Sequence, residues 1–206
     1  MDKNIIDAFW KKRSEEGKGR WTDDALLCFE LDWLASHAPP KAKILDLGSG
    51  PGELSSRLLP KDGKLTLVEK YSDFLKMAPC ASNIRHICCD ILDFNDPEHY
   101  DLILIFGVVT HLSEEEEKLI YPKTARLLNP GGALIVKNQV SNGKEKSVSG
   151  YSTSLQQEYC GRYPSLEQQL QRLKEIFRVV EVIHYPDQFN PWPDTKHVAF
   201  VCKRPF

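Results

Sequence analysis

Apolar positions along this chain alternate between two rhythms from residue 43 onward. Compact apolar runs occur at 43–47, 64–68, 84–89, 100–106 and 133–137. The stretch after Tyr100, Asp-Leu-Ile-Leu-Ile-Phe, is continuously apolar, as a strand buried on both faces must be. Between these runs, apolar residues fall at helical spacing near 52–59, 72–78 and 113–128. Ser113 with Glu116, and Ser165 with Gln168, have the spacing of capping boxes, so one helix opens at 113 and another runs from 165 through 177. Pro122 predicts a kink in the first of these, or its division into two short helices. Asn129-Pro130-Gly131-Gly132 is a turn. The last apolar runs, 179–184 and 198–203, follow one another without a helix and predict a closing antiparallel pair.

Ahead of this alternation, residues 1–20 are polar and basic around Phe9 and Trp10, and form a helix with Phe9, Trp10 and Arg13 near one face. Gly17-Lys18-Gly19 interrupts it. Thr22 reads as an N-cap with Asp23 and Asp24 in the first turn, opening a helix whose stripe is Leu26, Leu27, Phe29, Leu31 and Leu34. Residues 139–164, polar with glycines at 143, 150 and 161, read as a loop or lid, and 185–196 as a second long connection. The pattern predicts an α/β fold, a mostly parallel seven-stranded sheet with helices on both faces and a closing antiparallel strand. It divides into a helical arm or cap at 1–40 and one main domain at 41–206.

Composition narrows the classes. At 206 residues, 41% hydrophobic and 27% charged, the chain can bury a core as a single domain. A net charge of −2 argues against nucleic acid as a partner. There is no 18-residue apolar run and no charged-then-apolar amino terminus, so neither a membrane span nor a secretion signal is expected, and the location expected is cytoplasmic. The six cysteines form no C-x-x-C pair and have no histidine at ligand spacing, so no metal is expected. Four of them lie in apolar surroundings and are expected to be free, buried thiols.

The chemistry concentrates at Asp46-Leu47-Gly48-Ser49-Gly50-Pro51-Gly52, between the first strand and the helix after it. Glycines suit a chain that must reverse and let a ligand lie on bare backbone, with helix N–H groups facing it. The Lys-Ser/Thr pair of a phosphate loop is missing, since Glu53-Leu54 follows, and the spacing G-x-G-x-G differs from the dinucleotide G-x-G-x-x-G. Asp46 and Glu53 flank the loop and would repel a pyrophosphate but suit a cationic ligand such as a sulfonium with an ammonium group. In an open α/β sheet ligands bind at the carboxyl ends of the strands. That rule selects the loop, Glu69-Lys70-Tyr71, Asp90-Ile91, the stretch from Phe106-Gly107 to His111, Asn138-Gln139 and the connection after His184. Glu69 lies 21 residues past Gly48, where a carboxylate can accept both hydroxyls of a ribose.

The loop matches D-x-G-x-G-x-G, and here the chain resembles the class I S-adenosylmethionine-dependent methyltransferases. The resemblance implies their Rossmann-like fold, S-adenosylmethionine as cosubstrate and S-adenosylhomocysteine as product. It implies Glu69 on the ribose, Asp90 on the adenine amino group with Ile91 against the ring, and Asp46 orienting the loop and the methionine ammonium. Gly48, Ser49, Gly50, Gly52, Lys70, Phe106 and Gly107 complete the expected cofactor site. Arg20 can pair with the cosubstrate carboxylate while Trp21 closes over it; both equally fit the packing of an amino-terminal arm. His111 is the candidate catalytic residue, as a base, as a hydrogen-bond partner of the acceptor, or merely as a cap on the helix at Ser113. His86, His99 and His184 read as structural or surface. Asn138, Gln139, Tyr151, Tyr185 and Trp192 are the candidate acceptor wall, with Tyr159, Tyr163 and Phe189 beside them.

Within the class, Cys88-Cys89 with Asp93-Phe94, Val109-Thr110-His111-Leu112, and Ile135-Val136-Lys137-Asn138 to Asn142-Gly143 are similar to the protein α-N-terminal methyltransferases. The chain departs from them at Gly107, where they carry tryptophan, and at 147–151, where their aspartate is missing. Three functions follow: methyl transfer to nitrogen or oxygen of a small polar molecule or sugar, methylation of a peptide amino terminus, or a non-catalytic partner subunit. The partner expected is a small-molecule or peptide acceptor, with no nucleic acid and no membrane, for a monomer or homodimer.

Overall fold

The computed structural model describes residues 1–19 and 24–206; Arg20, Trp21, the Thr22 cap and Asp23 lie outside the described residues. Four parallel strands form the core of the sheet: β1 (Lys43–Leu47), β2 (Lys64–Glu69), β3 (Ile84–Cys88) and β4 (Tyr100–Phe106). β5 (Leu128–Ser141) extends them in parallel on β4. A hairpin and a helix then intervene before the two closing strands. The hairpin is β6 (Lys146–Ser152) with β7 (Gln157–Tyr163), and the closing strands are β8 (Phe177–His184) and β9 (Thr195–Pro205). The seven-stranded order is β3-β2-β1-β4-β5-β9-β8, with β9 antiparallel to both neighbours. The expected fold class is therefore the observed one. Strand order reverses between β1 and β4, which places the ligand crevice at their carboxyl ends.

Alternation along β4 shows how the sheet sorts its two cores. Leu102 and Leu104 pack with α2 (Asp24–Leu34), α3 (Glu53–Leu58) and Leu75 of α4 (Ser72–Met77). Ile103 and Ile105 face the other way, onto Ile120 and Tyr121 of α5 (Glu114–Arg126) and Leu173 of α6 (Leu166–Lys174). Both capping boxes are present, Ser113 with Glu116 on α5 and Ser165 with Gln168 on α6. Pro122 lies inside α5 without dividing it, because Ile120, Tyr121 and Thr124 around it are all buried and hold that face to the core.

Three expectations need correction. The fifth strand does not span 133–137 alone; it runs from Leu128 through the Pro-Gly-Gly turn to Ser141, pairing with β9 from Ala133↔Lys203 to Ser141↔Thr195. Residues 139–164 are not a loop, since most of them lie in the end of β5 and in the β6–β7 hairpin, in register from Lys146↔Tyr163 to Ser152↔Gln157. Glycine there marks close approach: a Cβ on Gly161 would sit 2.6 Å from the Tyr159 hydroxyl. All six cysteines are free, yet only Cys160 and Cys202 are buried; Cys28, Cys80 and Cys88 are exposed, on α2, after α4 and on the edge strand β3. Among the described residues no helix is long and apolar enough to cross a membrane.

Beneath the hairpin, Glu117 is fully buried and accepts hydrogen bonds from the Tyr121 hydroxyl at 2.9 Å and Arg172 Nη1 at 2.7 Å, and also from Arg162. Arg162 also meets Glu145 at 2.9 Å, and Gln169 bridges the Tyr121 hydroxyl (2.9 Å) and Asn138 (3.3 Å). This network joins α5, α6, β5 and β7, and positions the hairpin against the site.

Candidate functional site

The carboxyl ends of β1, β2 and β4, with the segment after β3, open into one cavity of about 380 Å³. Its floor is the loop between β1 and α3. Gly48 (φ 74°), Gly50 (φ 55°) and Gly52 (φ 70°) are all left-handed, a backbone that residues with a Cβ adopt at a cost of about 1–2 kcal/mol. The turn is tied to β2: the Gly48 and Ser49 N–H groups donate to the Val68 carbonyl at 2.8 and 3.1 Å. Gly52 does not line the cavity; a Cβ there would lie 2.7 Å from Leu67 Cδ1, so its role is the close packing of loop on strand. α3 has only six residues, so the dipole expected to face the ligand is small.

Carboxylates dominate the cavity's polar groups. Asp46, at the end of β1, is 5% exposed. Glu69, 6% exposed, accepts from the Gly50 N–H at 2.8 Å and the Tyr71 N–H at 3.0 Å, so the β2 carboxylate also fixes the glycine loop. Burial raises its pKa against the opposing pull of those backbone N–H groups. Asp90 and Ile91, just beyond β3, and Phe106, Gly107 and Val108, beyond β4, line the same space with Ser49 and Lys70. Lys70 reaches Asp7 at 2.6 Å and Asp90 at 3.6 Å.

Asp7 belongs to the element that the sequence could not place. α1 (Lys3–Glu15) lies across the cavity and contributes Lys3, Ile6, Asp7 and Trp10 to its wall. Asp7 binds both Lys70 Nζ and the Tyr71 hydroxyl, the latter at 2.9 Å. Lys3 donates to the His111 carbonyl at 3.1 Å and pairs with Glu116. The helix is thus latched on two sides. Phe9 and Trp10 are visible in the sequence as an apolar face, but nothing local says what that face covers.

His111 ends a short turn (Val109–His111) and lines the cavity among aromatic rings, with Trp10 at 5.2 Å, Tyr159 at 5.8 Å and Phe9 at 6.4 Å between centroids. Its Nδ1 is buried without a hydrogen-bond partner. Burial depresses its pKa to about 4. The ring is therefore neutral at physiological pH, suited to holding a hydrogen bond and poorly suited to taking a proton from an ammonium. It does not serve as the helix cap, since Ser113 fills that position with its own side chain. A histidine in the unfolded chain titrates near 6.5, so between there and about 4 the unfolded state takes up a proton that the folded state refuses. Stability is expected to fall as pH drops through that interval, and His111→Phe to flatten the fall. Urea denaturation at about pH 7 and about pH 4.5 measures the difference.

The expected acceptor wall does not assemble here. Asn138 is buried against Gln169, Gln139 pairs in register with His197, and Tyr151 is 64% exposed on the hairpin. Tyr185 is buried with its hydroxyl 3.0 Å from Glu30, and Trp192 is 52% exposed. None of these five lines the glycine-loop cavity: Asn138 and Gln139 lie on β5 where it pairs with β9, Tyr151 on β6, and Tyr185 and Trp192 in the connection after β8. Arg20 and Trp21 lie outside the described residues. Among the described residues no group of three or more metal-binding side chains is found.

A sheet of this order, reversing over an acidic glycine loop, is the fold of the S-adenosylmethionine-dependent methyltransferases. Residues 44–132 match the family model of the methyltransferase domain. A Bos taurus N-terminal Xaa-Pro-Lys N-methyltransferase 1 is 31% identical over 105 residues, 47% of each chain, and the Homo sapiens protein of the same name is 30% identical over the same length. The chain spans about half the length of these relatives. In structure, Burkholderia thailandensis 1,6-didemethyltoxoflavin-N1-methyltransferase, crystallised with 1,6-didemethyltoxoflavin and S-adenosylhomocysteine, superposes with TM-score 0.77 at 18% identity, covering 98% of this chain and 88% of that one. The glycopeptide N-methyltransferase MtfA, crystallised with sinefungin, gives 0.68 at 14% identity over 89% and 95%.

Proposed function

We propose that this chain is an S-adenosylmethionine-dependent methyltransferase that acts on nitrogen or oxygen of a small polar acceptor. The observation that carries the acceptor class is α1: Lys3, Ile6, Asp7 and Trp10 wall one side of the cavity and narrow the room that a peptide would need. The cavity fits the cosubstrate on its own terms. Beside Gly50 a Cβ would meet nothing within 4 Å, which leaves bare backbone facing the space, and Asp46, Glu69 and Asp90 surround it with negative charge. Glu69 would hold the ribose hydroxyls, Asp90 with Ile91 the adenine, and Asp46 the ammonium end. Bound there, S-adenosylmethionine supplies an electrophilic methyl on its sulfonium. The chain's own part is to align the acceptor under α1, to exclude water with Trp10, Val108 and Leu112, and to hold an acceptor N–H or O–H on a neutral His111.

Amino-terminal peptide methylation is the second reading, favoured by the sequence likeness to the Xaa-Pro-Lys enzymes. A panel of labelled methyl transfer to small amines, hydroxylated metabolites and a Xaa-Pro-Lys peptide separates the two. Turnover of the peptide alone would replace the first reading with the second. Glu69→Ala is expected to weaken S-adenosylmethionine binding about a hundredfold in calorimetric titration, two charge-assisted hydrogen bonds at about 1.5 kcal/mol each. Wild-type protein that takes up no S-adenosylmethionine would make the chain a non-catalytic partner.

A further inference from the structure

Tyr185 and Trp192, drawn away from the glycine loop, belong to a second cavity of about 400 Å³. It lies at the same edge of the sheet, where β8 ends and β9 begins, three strand spacings or about 14 Å from β4. We propose that this cavity binds a pyranose ring, free or as the terminal unit of a glycan.

The ligand class follows from the lining. Trp192 presents an indole that is 52% exposed, an amphipathic surface of the kind that takes the C–H face of a sugar. Around it stand His184, Asp187 and Lys196, whose side chains make no hydrogen bond or ion pair among the described residues. One acid, one ammonium and an imidazole select no net charge, so neither an anion nor a cation is favoured. They do supply donors and acceptors around an aromatic platform, which a ring bearing several hydroxyls needs.

The cavity is also built to keep its shape. Asn190 accepts from the His197 N–H at 2.7 Å and donates to the Tyr185 and Pro186 carbonyls at 3.1 and 3.2 Å. Asn142 donates to the Pro193 carbonyl at 2.7 Å, tying the β5–β6 turn to the β8–β9 connection. Pro186, Pro191 and Pro193 restrict that connection further. Its floor, Tyr185, is anchored on the fully buried Glu30. A surface loop with so many internal bonds is preformed, and a preformed site avoids the ordering cost of binding.

The test is titration of the full chain with methyl α-glucoside, methyl α-mannoside and methyl α-galactoside, followed by tryptophan fluorescence and saturation-transfer NMR. Inorganic phosphate and adenosine serve as competing probes. Saturable binding of at least one pyranoside in the millimolar range is expected, weakened tenfold or more by Trp192→Ala and by Asp187→Ala, each with an unchanged circular dichroism spectrum. Absence of saturable binding to all three, binding untouched by both substitutions, or tighter binding of phosphate or adenosine at Trp192 would overturn the proposal. None of these readouts involves methyl transfer, so the result stands apart from the function proposed for the first cavity.

Discussion

Glu117→Gln is expected to destabilise the fold by about 3–5 kcal/mol, the usual cost of removing one partner from a buried ion pair. Glu117 is fully buried and pairs with Arg162 and Arg172, whose side chains are 4% and 12% exposed and whose other carboxylate partners, Glu145 and Glu114, lie nearer solvent. A glutamine keeps the shape and one accepting oxygen but leaves two guanidinium charges facing a neutral amide. In the wild type, burial would depress the Arg162 pKa, but the carboxylates of Glu117 and Glu145 outweigh it and raise it. The loss should appear in thermal denaturation as a drop of about 10 °C, at about 2–4 °C per kcal/mol for a chain of this size. A double variant, Glu117→Gln with Arg162→Met, is expected to recover part of the loss because it removes one stranded charge. If the single variant melts within a degree or two of wild type, water reaches the network and solvates the charges that the glutamine leaves behind.

That network also marks where sequence reasoning stopped. The strands of the sheet were legible because a strand buried on both faces must be apolar throughout, as β4 is. The caps at Ser113 and Ser165 were legible because their hydrogen bonds are local. The glycine loop, Glu69 and Asp90 were legible as a set because the strand-end rule converts chain order into position. Glu117 in α5, Arg162 in the hairpin and Arg172 in α6 are far apart in sequence, and each reads alone as a solvated charge. The hairpin failed for a related reason: with one face outward, Lys-Ser-Val-Ser-Gly-Tyr-Ser has too little apolar alternation to declare a strand. α1 failed differently. Its apolar face was plain, but the partner of that face, the mouth of the cavity, is assembled from segments far along the chain, and Asp7 on Lys70 and Lys3 on Glu116 fix the docking.

Two glycines of one loop are expected to fail in different ways when changed to alanine. At Gly48 the new methyl would sit 2.5 Å from Val108 Cγ2, on a backbone held at φ 74°. Overpacking of about 1–3 kcal/mol adds to left-handed strain of about 1–2 kcal/mol, so Gly48→Ala should lose about 2–5 kcal/mol in urea denaturation. Adding Val108→Ala should return the packing part and leave the strain. At Gly50, φ is 55° and a Cβ meets nothing within 4 Å, so only the strain of about 1–2 kcal/mol applies to the fold. That empty space is the floor of the cavity, however, and the Gly50 N–H is bonded to Glu69. A methyl there stands where the proposed site needs bare backbone for the cosubstrate. Steric overlap with the bound ligand at about 3 kcal/mol should lower the affinity for S-adenosylmethionine about a hundredfold or more. Gly48→Ala is thus read mainly by stability and Gly50→Ala mainly by calorimetric titration. A Gly50→Ala protein that binds S-adenosylmethionine as tightly as wild type would move the cosubstrate off the loop, and with it the roles of Glu69 and Asp90.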